Sequence, residues 1–178
     1  VGIMSNGTSG DINNINFQEP GESQERYEQM RHVANAAADV VHKAYGELEW
    51  RDWAKLDGAM KELELGVRKP DEADLVRAKE ILAASEGPTM RGLDEIYARE
   101  TVLLNEYPDT VKLVVQAVRI GDLSIAAIPC EVFVEIGLKM KAESAFDDAF
   151  TIQLANGYNG YLPTAAQHKL GGYETWRA

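Results

Sequence analysis

Apolar residues recur at steps of three and four between residues 27 and 44: Tyr27, Met30, Val33, Ala34, Ala37, Val40, Val41 and Ala44. That period predicts an amphipathic helix from Ser23, whose hydroxyl suits an N-cap, to Tyr45. Over residues 60–68 the period becomes two, with Leu63, Leu65 and Val67 set against Glu62, Glu64 and Arg68. Such alternation predicts a half-buried strand. Pro70 opens and Gly87-Pro88 closes a second helix over Asp71–Ser85. A third helix is expected from about Leu93 to Glu106, with Leu93, Ile96, Tyr97 and Leu104 on one face and Pro108 beyond its end.

Beyond Pro108 the pattern turns to β-rich runs. Val111–Ile120 and Leu123–Ile128 are separated only by Gly121-Asp122, the spacing of a two-residue hairpin. Pro129-Cys130-Glu131 follows, then a helix over Val132–Ala142 with Phe133, Ile136 and Met140 inward. Phe150–Leu154 reads as a buried strand that runs into the polar, aromatic loop Asn156-Gly157-Tyr158-Asn159-Gly160-Tyr161. At the other end, Val1–Met4 reads as a strand leading into the small-residue loop Ser5–Asp11. Helices and strands alternate with no repeat, which predicts an α/β fold, a layered domain with a mixed sheet and flanking helices.

A chain of 178 residues, 45% hydrophobic, has the size and composition of one globular domain. Its formal net charge of −11 disfavours a nucleic-acid partner, because phosphate-backbone affinity rests on clustered Lys and Arg. The single cysteine, Cys130, excludes an internal disulfide and a cysteine-rich zinc module. No run reaches the ~18 apolar residues of a transmembrane segment. The chain opens on Val1 and ends directly after a dense Gly/Tyr/Trp stretch. It is therefore expected to be one partial domain over residues 1–178, cut from a longer polypeptide.

Two positions where a strand gives way to a loop carry candidate chemistry. Glu131 sits between a strand and a helix beside a turn-fixing proline, a place where α/β folds commonly put ligands. A carboxylate there also complements the helix dipole without any further role. Tyr161 is expected to leave a later strand in the same way, and Tyr158, Tyr161 and Tyr173 read equally well as half-buried aromatics with one hydrogen bond each. Spacing alone leaves both readings open.

The stretch Ile120-Gly121-Asp122-Leu123-Ser124-Ile125-Ala126-Ala127-Ile128-Pro129-Cys130-Glu131 resembles the segment in which neutral/alkaline, non-lysosomal ceramidases deliver a zinc-binding glutamate from a strand and turn. Asn156–Thr164 resembles that family's Asn-x-Tyr-x-x-Tyr-x-x-Thr loop, whose second tyrosine, here Tyr161, binds the same zinc. Further on, the family's tyrosine that holds the substrate carbonyl oxygen falls at Tyr173. Gly10-Asp11-Ile12-Asn13-Asn14 is similar to the family's Gly-Asp-Val-Ser-Pro-Asn loop, while residues 22–106 match only loosely.

The resemblance implies the C-terminal portion of a ceramidase-like catalytic domain. The parent protein would use zinc to hydrolyse an N-acyl, ceramide-like amide of a small molecule or lipid. It further implies Glu131 and Tyr161 as metal ligands, Tyr173 as a catalytic donor, Gly10 and Asp11 as substrate or loop residues, and a secreted, periplasmic or membrane-surface location. Asn13 stands where the family has a serine, so an amide that cannot act as a nucleophile replaces a hydroxyl, with Ser9 and Thr8 the neighbouring hydroxyls. The family's two histidine ligands and substrate-binding arginine precede this loop and are expected in a missing N-terminal part of the same chain. His32, His42 and His168 match none of those motifs, and His168 is expected in a loop between Tyr161 and Tyr173. The segment alone is expected to be inactive, and the alternatives are a non-catalytic binding or structural domain on this fold, or a hydrolase of another amide or ester. If the zinc reading is right, the side-chain oxygens of Glu131 and Tyr161 converge in the fold, with the Gly10–Asn13 loop beside them.

Overall fold

The computed structural model describes residues 3–19, 21 and 24–178. The chain divides into two units, residues 13–55 and a larger one of residues 1–12 and 56–178. Among its described residues the smaller unit holds one regular element, helix α1 (Glu28–Gly46). It starts later than the periodicity suggested, after Tyr27 in the left-handed region, and Ser23 lies outside the described residues. Its apolar positions Met30, Val40 and Val41 are exposed.

The larger unit is a layered α/β fold with a mixed sheet. Its four strands run in the order β1 (Leu56–Gly66), β2 (Thr110–Ile120), β3 (Leu123–Ile128), β5 (Asp148–Gln153). β1 and β3 pair antiparallel to β2, and β5 pairs parallel to β3. The expected hairpin is present, with Ile120 opposite Leu123 and Gly121 at φ 61 in the turn. A parallel neighbour requires a crossover. It is supplied by the short strand β4 (Glu131–Val132) and helix α4 (Val134–Ala142), which packs on β5.

Helix α2 (Glu72–Ala84) is bounded as expected, with the Asp71 carboxylate accepting the Asp74 backbone N–H at 2.8 Å. It packs against α3 (Gly92–Glu106), whose buried face carries Ala98 and Thr101 while Leu93 is exposed. The core of the sheet side is Ala127, Cys130, Val132, Phe133, Thr151 and Gln153. After β5 come β6 (Tyr161–Leu162), helix α5 (Ala165–Leu170) and a 3₁₀ turn, Tyr173–Thr175.

Four expectations change. β1 begins at Leu56 and is mostly exposed, with only Leu63 half-buried and Leu65 exposed. It is an edge strand with one neighbour, so backbone pairing to β2 sets its length rather than burial of an alternating face. Ile3 and Met4 form no strand and are exposed, and Val1 and Gly2 lie outside the described residues. Met140 stays at the rim of α4, where its sulfur accepts from the Thr151 hydroxyl at 3.9 Å. His168 lies on α5, not in a loop, because Thr164 and Gln167 form a capping box. Among the described residues no helix is long and apolar enough to cross a membrane.

Candidate active site

Pro129 ends β3 and is the anchor on which the next two pieces are built. Its carbonyl accepts the backbone N–H of Asn159 at 2.8 Å and the Asn159 side-chain amide at 3.2 Å. The 154–160 loop can fold back this tightly because Leu154 and Asn156 adopt positive φ values of 54° and 67°. Asn tolerates that region better than most residues. The loop therefore returns beside the start of β4. Glu131 N–H donates to Gly160 O at 2.9 Å and Phe133 N–H to Leu162 O at 3.1 Å.

These bonds create a two-stranded parallel ladder in which Glu131 is paired with Tyr161 and Val132 with Leu162. Directly paired residues present their side chains on the same face of a ladder. Glu131 and Tyr161 are accordingly neighbours despite their separation in sequence, and the charge of Glu131 acts on the Tyr161 phenol. Tyr161 does not leave a strand, as the sequence suggested. It starts one of its own.

Tyr173 completes the group from the 3₁₀ turn. Its ring lies edge-on to Tyr161 at 5.9 Å between centroids, and Tyr97 of α3 sits 6.1 Å from it on another side. Trp176 packs edge-on against Tyr97 at 4.9 Å. Two arginines fasten this turn. Arg68 donates to the carbonyls of Thr175 and Trp176 at 2.8 and 2.6 Å, and Arg177 donates to the buried Thr101 hydroxyl. Tyr158, on the folded-back loop, also feels the charge of Glu131.

The phenols are held in their neutral forms. Tyr161 is pushed well above the ordinary tyrosine range, first by burial, then by the neighbouring Tyr173 and the charge of Glu131. Burial is also the largest cause for Tyr158, followed by Glu131. Tyr97 is pushed up to about 12 by burial, with Tyr173 and Glu174 adding to it. A free tyrosine titrates near ~10. The stability contributed by protonated Tyr97 is therefore complete below that value and is lost as pH rises to about 12. Melting temperature should fall across this alkaline window, and the fall should be shallower in Tyr97→Phe.

The 9–11 loop lies against the same ladder. Gly10 N–H donates to Val132 O at 2.8 Å, and a Cβ on Gly10 would sit 2.6 Å from the Glu131 carbonyl oxygen. Only glycine fits such an approach. Asp11 caps α4, its carboxylate accepting the Val134 N–H at 2.9 Å. Asn13 begins the other unit, where its side-chain oxygen accepts the Asn14 N–H at 2.9 Å. His32 and His42 are exposed on α1, and His168 is exposed on α5. Cys130 is buried beside the ladder with its thiol pushed up by desolvation, which favours the inert protonated form.

A carboxylate and a phenol paired side by side on one ladder offer two oxygen donors to a cation. Tetrahedral zinc takes four ligands. Among the described residues no three His, Cys, Asp or Glu side chains gather into a metal-binding group. Glu131 and Tyr161 thus fit half a shell, and the elevated Tyr161 means that its phenolate requires a nearby positive charge. Tyr173, at the rim, presents a phenol hydroxyl that can donate a hydrogen bond.

No known protein family and no curated protein matches the sequence. Structural comparison places the fold with the neutral ceramidases. The neutral ceramidase from Pseudomonas aeruginosa aligns with a TM-score of 0.61 and 15% identity over 96% of this chain. A structure described as ceramidase complexed with C2 aligns with a TM-score of 0.53 and 14% identity over 87%. The chain spans about a third of either structure, 33% and 32%. At these identities the likeness is one of fold.

Sequence reasoning missed Tyr97, Gln153, Arg68 and Trp176, and treated Tyr158 only as a packed aromatic. Gln153 did leave a signal, being a polar residue at the end of a buried strand. Tyr97 left none, because it falls on the apolar period of its helix.

Proposed function

We propose that this chain is part of a zinc-dependent amidohydrolase that cleaves an N-acyl, ceramide-like linkage. The observation that carries the reading is the pairing of Glu131 with Tyr161, with Tyr173 packed on Tyr161, within a ceramidase fold. Glu131 and Tyr161 would hold the metal, and two histidines from residues outside this segment would complete its shell. The chemistry such an ion supplies is a hydroxide nucleophile near neutral pH, since its bound water titrates near ~7.

This chain's residues then do the positioning. Glu131 is fixed from both sides by the ladder and by Gly10. Attack on an amide carbonyl builds negative charge on oxygen, and the Tyr173 hydroxyl would donate to it. Asp11 holds the start of α4, and Gly10 and Asp11 form the loop facing the substrate. Asn13, at the position of the family's serine, carries an amide that can take no covalent part. The segment itself is inactive in this account, because it carries half the ligands.

The test is hydrolysis of a panel of N-acyl substrates, ceramides included, by a protein of full ceramidase length containing this chain. Tyr173→Phe should lower kcat by ~10²–10³ while zinc content is unchanged, the size of effect seen for one oxyanion donor. Zinc without hydrolysis of any amide or ester in the panel would favour a binding domain, the reading that Asn13 in place of serine supports.

A further inference from the structure

Gln153, the last residue of β5, is a buried polar side chain. It is 6% exposed and every polar atom of its amide is bonded. Its oxygen accepts two backbone N–H groups, that of Ser9 at 3.1 Å and that of Val132 at 3.0 Å. Its nitrogen donates to the Ser9 hydroxyl at 2.9 Å. Its own backbone N–H donates to Asn6 O at 3.2 Å.

The arrangement has a specific geometric effect. Val132 follows Glu131 in a strand only two residues long, so the ladder with β6 alone gives it little rigidity. One glutamine oxygen ties this strand to the 9–11 loop at the same point where Gly10 donates to Val132 O. Val132 is thereby held through its N–H by Gln153 and through its C=O by Gly10. A side chain fills the place that a further backbone strand would take. An apolar residue of the same length would leave two buried N–H groups without acceptors, a costly arrangement.

We infer that Gln153 is a positioning residue that sets the placement of the Glu131 carboxylate by locking β4 to the Ser9–Asp11 loop. The inference rests on the reading of Glu131 and Tyr161 as the working pair, but its test needs no metal and no substrate, so the two can fail separately.

The full 178-residue chain is compared by NMR with Gln153→Met, which keeps length and volume, and with Gln153→Glu, which keeps both acceptor positions. In Gln153→Met the amide exchange of Ser9 and Val132 should accelerate at least about tenfold. The Glu131 carboxyl-carbon and Tyr161 ring signals should shift with it, while helix α3 keeps its spectrum. Gln153→Glu should restore protection of both amides, because the Ser9 hydroxyl can turn from acceptor to donor. A residue that merely fills the core would lower the melting temperature and leave the Glu131 and Tyr161 signals in place, which would overturn the inference. If Gln153→Met does not fold, Ser9→Ala decides. It removes only the bond to the amide nitrogen, and it should speed Val132 exchange and shift the Glu131 signal. An unchanged Val132 amide in that variant overturns the inference equally.

Discussion

Replacing Glu131 by Ala, in a protein of full ceramidase length that contains this chain, is expected to abolish zinc retention and N-acyl hydrolysis together. The expectation follows from how Glu131 is built in. Its backbone is fixed by the N–H bond to Gly160 and by pairing with Tyr161, so no neighbouring carboxylate can slide into its place. Loss of a partner outside the ligand shell already costs metal sites ~10–100-fold in affinity, and loss of a coordinating carboxylate should exceed that. Metal analysis after dialysis and the rate on an N-acyl substrate read both effects. Tyr161→Phe should do the same to zinc while preserving the ring packing on Tyr173 at 5.9 Å. Retained zinc with a modest change in rate would remove Glu131 from the ligand set.

Gly10→Ala should be the most damaging small change to the fold of the site. The added methyl would meet the Glu131 carbonyl oxygen at 2.6 Å and its carbon at 2.9 Å, both backbone atoms that cannot rotate away. Either the loop lifts off β4, breaking the Gly10–Val132 bond, or β4 moves and takes Glu131 with it. Overpacking of this kind costs ~1–3 kcal/mol. For a chain of this size that is several degrees of melting temperature. Gly66→Ala is the matched control, since a Cβ there meets nothing within 4 Å. Its effect should stay within ~0.5 kcal/mol. Equal melting temperatures for the two variants would mean that the loop does not clasp β4 in solution.

What the sequence makes legible is what local chemistry determines. The Asp71 cap and the Gly87-Pro88 stop bracket α2, and Gly121-Asp122 sets the register of the β2–β3 hairpin. The 10–11 loop, Glu131 and Tyr161 were visible as candidates because their turn and strand-boundary residues are distinctive. The pieces that escaped are non-local or too short for a period. β4 and β6 have two residues each, which no alternation can reveal, so Tyr161 was read as leaving a strand that it begins. Arg68 reaches across 107 positions to Thr175, and Gln153 across 144 to Ser9. Nothing in their immediate neighbourhoods records such partners. Helix α5 is a different case. Thr164 and Gln167 stand at capping-box spacing, and the signal was present in a stretch read as loop.

The site's electrostatics were also out of reach from sequence. That Tyr161, Tyr158 and Tyr97 are all held protonated depends on burial and on the shared neighbours Glu131 and Tyr173. Three segments far apart in the chain must meet before those effects exist. The same gathering explains why a cation matters to the proposed chemistry. A phenol held this firmly in its neutral form becomes a metal ligand only where a positive charge offsets the loss of its proton.

Isothermal titration with zinc, of this 178-residue chain and of a full-length protein containing it, reads the proposed metal site directly. Two oxygen donors without imidazoles hold zinc far less well than a complete tetrahedral shell. The expected result is weak, non-stoichiometric binding by the short chain, tight one-to-one binding by the long one, and loss of the tight site in Glu131→Ala. Tight stoichiometric zinc in the short chain, or tight binding in the long chain that survives Glu131→Ala, would contradict it.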